Sequence, residues 1–197
     1  MAINVVDLTC PGCGSAIATD TKNCPYCFRE IVISTFNSVR DMSPLEINKQ
    51  ASAYRKAMVA NPDDQTLNMS IAFCYFKLKL YDKAIPCFEK AIEDNFDNSE
   101  TYFYLAISLL QGKKAFLAPR ATIDKIEEYI QAALMIEPKA IYYYFWAYIR
   151  YDHHFRKSYR MNPNYQQLLE QAKQARLSMT DVRELYALLG VDRPNVL

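Results

Sequence analysis

From residue 65 onward, small and aromatic residues return at helical steps, and the spacing predicts a stack of antiparallel helical hairpins. Ala72 and Tyr75 share one helix face, and Ala84, Phe88 and Ala91 share the next, around a turn at Tyr81-Asp82 where Asp82 is the expected cap. Tyr54 and Ala57 precede Phe88 and Ala91 by the same 34 positions, an offset that marks stacked repeats. Ahead of them, Ser43-Pro44-Leu45-Glu46 supplies a cap, a proline suited to the first helical position and the glutamate of a capping box. A helix should therefore run from there to about residue 60, stopped by Asn61-Pro62. The pattern divides the chain into a cysteine-bearing segment at 1–33, a connector at 34–43, a packing helix at 44–64 and hairpins at 65–98 and 99–140. A less regular hairpin follows at 141–179, with its second helix opening at Asn164, and a capping helix with a short tail at 180–197, stopped at Gly190. The expected fold class is mainly α, a helical-hairpin stack behind a small N-terminal unit.

That N-terminal unit follows another logic. Cys10, Pro11, Gly12 and Cys13 form one C-x-x-C knuckle, and Cys24, Pro25, Tyr26 and Cys27 form a second. One tight turn in each aims two sulfurs at a single ion, and four converging thiolates satisfy the tetrahedral, sulfur-rich preference of zinc. Residues 14–23 leave room for one short hairpin, with Ala16-Ile17 as an apolar strand and a turn near Asp20-Thr21. Gly14 accommodates the positive φ that often follows the second cysteine, whereas Phe28, at the matching place, would be strained there. Ile31-Val32-Ile33 is β-rich and is expected to close the unit. The segment resembles the short zinc ribbons at the front of bacterial proteins, where C-P-x-C-G recurs after about ten residues, with Phe28 departing from the pattern. The resemblance implies structural zinc held by Cys10, Cys13, Cys24 and Cys27, with no open position for water. Such ribbons often bind nucleic acid, but residues 1–30 carry a charge of −1, which favours a structural or protein-contacting role. A nucleic-acid-associated regulator is the alternative.

Composition narrows the function classes. At 51% hydrophobic and 23% charged residues the chain should fold, and a net charge of +1 argues against strong attraction to nucleic acid or an anionic membrane. Only four glycines occur, and no glycine-rich phosphate loop is present. No Ser/His/acid arrangement, paired carboxylates or H-E-x-x-H is visible, so neither an enzyme nor a small-molecule substrate is expected. Met1 to Leu8 lack a basic start, and the most apolar run, 141–149, falls short of the ~20 residues a membrane span needs. With four thiols assigned to metal, a reducing cytoplasm is the expected location. Cys74 and Cys87 sit among apolar neighbours and read as small buried hydrophobes. Residues 150–160 mix aromatic and basic side chains at a charge of +3, which suits phosphate, an acidic protein or a solvated turn over packed tyrosines. The adjacent His153 and His154 point apart on a helix and read as surface residues.

The segment NPDDQTLNMSIAFCYFKLKLYDKAIPCFEKAIE resembles a tetratricopeptide repeat, with Asn68 where tryptophan is frequent. A second repeat lies over 99–138, lengthened by about eight residues between Gln111 and Arg120, and a third over 141–176 lacks the small-aromatic-small spacing in its second helix. In that family the first helix of each hairpin lines a concave face. The resemblance thus implies a groove of Met69, Phe73 and Phe76, then Phe103, Ile107 and Leu110, then Tyr142, Phe145 and Ile149, suited to an apolar helix or extended peptide. Aromatics at helical spacing are equally what a core requires. The chaperone-binding members grip a peptide carboxylate with cations and asparagine, but the matching positions here are Met69, Phe73, Tyr104, Tyr142 and Trp146, none of them a cation. The function expected is a protein-protein interaction adaptor or assembly factor.

Overall fold

The computed structural model describes residues 7–19, 21–93 and 97–197. The expected turn at Asp20 and most of the expected leaderless start, Met1 to Leu8, lie outside the described residues. The chain is mainly helical and divides into two compact units, Met1–Thr101 and Tyr102–Leu197. Among the described residues, no helix is long and apolar enough to cross a membrane.

The first unit opens with a two-stranded antiparallel hairpin, β1 (Asp7–Thr9) and β2 (Ala16–Ala18), with Leu8 opposite Ile17. After a short helix α1 (Asn37–Arg40), α2 runs Pro44–Met58 from the capping box that the Ser43–Glu46 spacing predicts. Ser43 Oγ accepts from the Glu46 N–H at 3.3 Å, and a Glu46 carboxylate oxygen accepts from the Ser43 N–H at 3.0 Å. Helices α3 (Gln65–Lys77) and α4 (Tyr81–Ile92) form the hairpin read from the small-aromatic spacing. Ala72, Ala84 and Ala91 are buried where the two helices approach, and Phe73 meets Phe88 edge-to-face at 5.3 Å between centroids. Asp82 does not cap α4. It lies inside the first turn after Leu80, where a carboxylate favours the positive helix end without a cap hydrogen bond. Asn68, at the usual tryptophan position, is buried and donates to the carbonyls of Pro62 and Asp64 at 2.9 Å, tying α3 to the turn before it.

Among the described residues Ile31-Val32-Ile33 forms no strand; Asn23 and Glu30 bridge, and the Ile31 N–H donates to the Lys22 carbonyl at 2.8 Å, which is as far as the stretch closes the cysteine unit. Ile31 and Ile33 instead drive into the core, and helices supply the missing hydrogen bonds through their side chains. Gln50 Nε2 donates to the Glu30 carbonyl at 3.0 Å, Tyr54 O–H to the Ile31 carbonyl at 3.0 Å, and the Ile33 N–H donates to Ser70 Oγ at 3.0 Å.

The division between units falls within α5 (Ser99–Ser108). The second unit continues with a 3₁₀ turn at Ala115–Leu117, then α6 (Arg120–Ile136) and α7 (Ala140–Ile149). Helix α7 widens into a π turn at Arg150–His154 and tightens to a 3₁₀ turn at Phe155–Lys157. Helix α8 (Tyr165–Gln174) starts from the Asn164 cap, and α9 (Met179–Leu189) is capped by Ser178 and ends at Gly190. Tyr144 and Tyr148 of α7 meet Tyr186 of α9 edge-on, so α9 covers one side of the aromatic α7.

Candidate metal centre and interaction faces

The two knuckles have the same backbone. The Gly14 N–H donates to the Cys10 carbonyl and the Phe28 N–H to the Cys24 carbonyl, both at 2.9 Å, while Cys10 and Cys24 donate onward to Ser15 and Arg29. Gly14 takes φ 78° and Phe28 φ 60°, so the expected strain at Phe28 is present, and its ring is 78% exposed. This shared turn brings Cys10, Cys13, Cys24 and Cys27 together, with all four sulfurs within 4.8 Å of one another. Cys10 and Cys27 sulfurs are 3.6 Å apart, and Cys13 and Cys24 sulfurs 3.7 Å. A disulfide would need about 2 Å. Four sulfurs about 2.3 Å from one central ion at tetrahedral angles would be about 3.8 Å apart, so the spacing fits a metal. The Gly12 N–H points at Cys10 Sγ at 3.4 Å. Hydrogen bonds with the Ser15 hydroxyl and backbone hold the Cys13 thiol down to about 6, while, against a backbone hydrogen bond from Arg29, burial and the neighbouring sulfurs raise Cys27 to about 11. A Cβ at Gly12 would fall 2.8 Å from Arg29 Nε, which would have to swing aside, and 3.1 Å from Cys27 Sγ. Cys74 is buried as expected, whereas Cys87 is half-buried, and burial raises both thiols, Cys87 to about 11.

The aromatic stripe is core. Met69, Phe73, Phe76, Phe103, Ile107, Leu110, Tyr142, Phe145 and Ile149 are all buried, so none offers an open groove in this structure. The reason is local. In the first unit Phe76 packs on Phe36, Tyr81 and Phe88, because the connector and α1 fold over the face that a groove would expose. In the second, Phe103 meets Tyr142 at 4.5 Å and Phe145 at 5.7 Å, ring on ring.

The histidine reading is also overturned. His153 and His154 are buried at 2% and 1% exposure, because the π turn rotates both inward. His154 Nε2 lies 3.1 Å from Glu127 Oε1, which also faces Arg150 Nε at 3.0 Å and accepts from Trp146 Nε1 at 3.3 Å. Arg150 stacks over the Trp146 ring at 5.4 Å. Burial, then the charges of Lys157 and His154, push His153 down to about 4. The pattern of α6 marks Glu127 only as one acid among exposed neighbours, and nothing in the sequence announces the π turn that collects its partners.

With the geometry established, comparison with known proteins adds one repeat. Residues 69–93, most of α3 and all of α4, match the tetratricopeptide repeat family. Among solved structures, the chain is similar to "MamA MSR-1 C2" at 16% identity, with 77% of this chain and 73% of that chain covered and a TM-score of 0.46. It is also similar to "MamA RS-1 ArsTM double mutant" at 15% identity, covering 80% and 74% of the two chains with a TM-score of 0.49. No curated protein matches.

Proposed function

We propose that the protein is a non-enzymatic cytoplasmic adaptor or assembly factor, whose helical hairpins hold a partner protein and whose cysteine hairpin is a structural zinc ribbon. The observation that carries the adaptor reading is the repeat match over 69–93, on a hairpin whose two helices close through small residues as such repeats do. Prearranged helices recognise a partner by shape, with little ordering needed on binding. The partner surface lies outside the buried aromatic stripe.

For the ribbon, four thiolates at tetrahedral spacing favour zinc over harder ions, and a closed set of four leaves no position for catalytic water. Cys10, Cys13, Cys24 and Cys27 would hold the ion, which supplies folding free energy to a hairpin too small for its own core. Reduced thiols in such a cluster suit a reducing compartment. The test is affinity purification of the full chain from its native cells, with metal content measured on the same sample. One zinc per chain and a reproducible protein partner are expected. A preparation that carries oligonucleotide instead, lost steeply with salt, would replace the adaptor by the nucleic-acid regulator.

A further inference from the structure

The second unit departs from regular hairpins in two places, the long connection between α5 and α6 and the distorted end of α7, and these two places meet. The Phe116 N–H donates to Asp152 Oδ2 at 2.8 Å, and the Ala115 N–H to the Tyr148 hydroxyl at 3.3 Å. Arg156 and Lys157 lie over the Phe116 ring at 4.4 and 5.0 Å. Both segments are basic. Residues 111–120 contain Lys113, Lys114 and Arg120 with no acid, and residues 150–160 carry +3. The whole second unit holds 13 lysines and arginines against nine carboxylates, a charge of +4, whereas the first unit carries −3.

Three of the seven cations in these two segments are answered within the chain, Arg120 by Asp124, Arg150 by Glu127 and Arg156 by Asp152, and four are not. Asp152 is committed to the Phe116 N–H and to Arg156 at 2.5 Å. Among the described residues Lys113, Lys114, Lys157 and Arg160 have no ion-pair partner. Lys114, Arg156 and Arg193 line an open cleft of about 450 Å³, in which Asp192 is the remaining carboxylate. Next to the basic residues in sequence, Leu117 and Phe155 are 68% and 56% exposed.

We propose that this surface docks an acidic segment of a partner protein, its carboxylates meeting Lys113, Lys114, Lys157 and Arg160 and an apolar side chain resting against Leu117 and Phe155. The aromatic geometry favours this occupant over a single-stranded nucleic acid. Bases need free ring faces to stack on. Here the Phe116 ring carries two cations, Phe155 stacks on Tyr151 at 5.8 Å and meets Tyr165 edge-to-face at 5.1 Å, and Tyr159 leans on His153 and His154. The cations remain available while the ring faces do not. This surface is built on the α5–α6 connection and the distorted end of α7 and not on the buried aromatic stripe. It names a partner class for the adaptor reading and rests on it.

The test uses the full chain and three labelled probes followed by fluorescence anisotropy: a glutamate-rich peptide with a central Leu-Phe pair, the same peptide with every glutamate replaced by glutamine, and single-stranded oligothymidine. The acidic peptide should bind best, and its affinity should fall as salt is raised from low to physiological strength. Lys114→Glu with Lys157→Glu should weaken it about tenfold or more, since two attractions become repulsions, while Lys49→Glu with Arg55→Glu in the first unit should change it less than about twofold. Unchanged melting of both double variants checks that they fold. Equal binding of the glutamine peptide, tighter binding of oligothymidine, no binding of the acidic peptide, or no difference between the double variants overturns the proposal. A native partner that the Lys114→Glu, Lys157→Glu chain retains would overturn this surface alone and leave the adaptor reading standing.

Discussion

Replacing Glu127 by alanine should destabilise the second unit by about 4 kcal/mol, because removing one member of a buried ion pair leaves the other charge uncompensated, at a cost of about 3–5 kcal/mol. Glu127 Oε1 faces Arg150 at 3.0 Å and His154 at 3.1 Å, with both side chains of the ion pair less than 10% exposed. No other carboxylate pairs with Arg150 among the described residues. The lost hydrogen bond from Trp146 is part of the same unit and does not add in full. The chain contains one tryptophan, Trp146, whose indole N–H donates to the residue being removed, so its fluorescence reports unfolding where the damage is done. With a urea dependence of about 2 kcal/mol per molar for a unit this size, the midpoint should fall by about 2 M. Glu127→Gln keeps an acceptor for the indole and should fall less. Pairing Glu127→Leu with Arg150→Met removes both charges and should return the midpoint to within about 0.5 M of the natural protein, since well-packed apolar replacements of buried pairs are often neutral or better. A Glu127→Ala midpoint within about 0.5 M of the natural protein, or a double variant as unstable as the single, would refute the view that this carboxylate is the counter-ion of a buried cation.

Three further outcomes are expected. Phe73→Ala should cost about 3–5 kcal/mol of stability, read from denaturation of the first unit, because the ring is wholly buried against Phe88; a cost below about 1 kcal/mol would return the residue to the surface. Cys24→Ser should abolish stoichiometric zinc and unfold the cysteine hairpin while leaving most helical circular dichroism intact, and metal analysis that finds iron, or no metal in the natural chain, removes the zinc assignment. His153 is held neutral in the fold, down to about 4 from the ordinary 6.5. The unfolded chain therefore takes up its proton first, and stability should be complete above about pH 6.5 and decline by at most about 3 kcal/mol as pH falls towards 4. His153→Gln should flatten that decline in the Trp146 signal, and an equal decline in the variant would assign it to other groups.

What could be read in advance followed from local rules. The Ser43 capping box and each C-x-x-C knuckle depend on residues a few positions apart, and the α3–α4 hairpin on a spacing within one repeat. The errors share a different cause. Phe73 and Phe103 carry the spacing that suits either a groove or a core, and only the connector folding onto Phe76, or Tyr142 closing on Phe103, decides between them. His153 and His154 would point apart on a regular helix, but the π turn carries them both inward, and its partner Glu127 lies 27 positions from His154. Ile31 to Ile33 have strand composition but form no strand among the described residues; the Ile31 carbonyl and the Ile33 N–H are met by helix side chains that no periodicity reveals.

Those side-chain bonds to residues 30–36 have a mechanical meaning. Gln50, Tyr54 and Ser70 pin this stretch to α2 and α3, while Asn98 donates to the Ser34 carbonyl at 2.7 Å and Glu100 accepts from the Phe36 N–H at 3.1 Å. The segment joining the cysteine hairpin to the helices is thus a bolted strut and not a tether. A partner that touches both the exposed Tyr26–Phe28 knuckle and the α2 surface meets two contact points already held at one spacing. The second contact forms without the loss of freedom that a flexible linker would impose, so two weak footholds can act as a single bivalent grip that discriminates partners by the distance between their own epitopes.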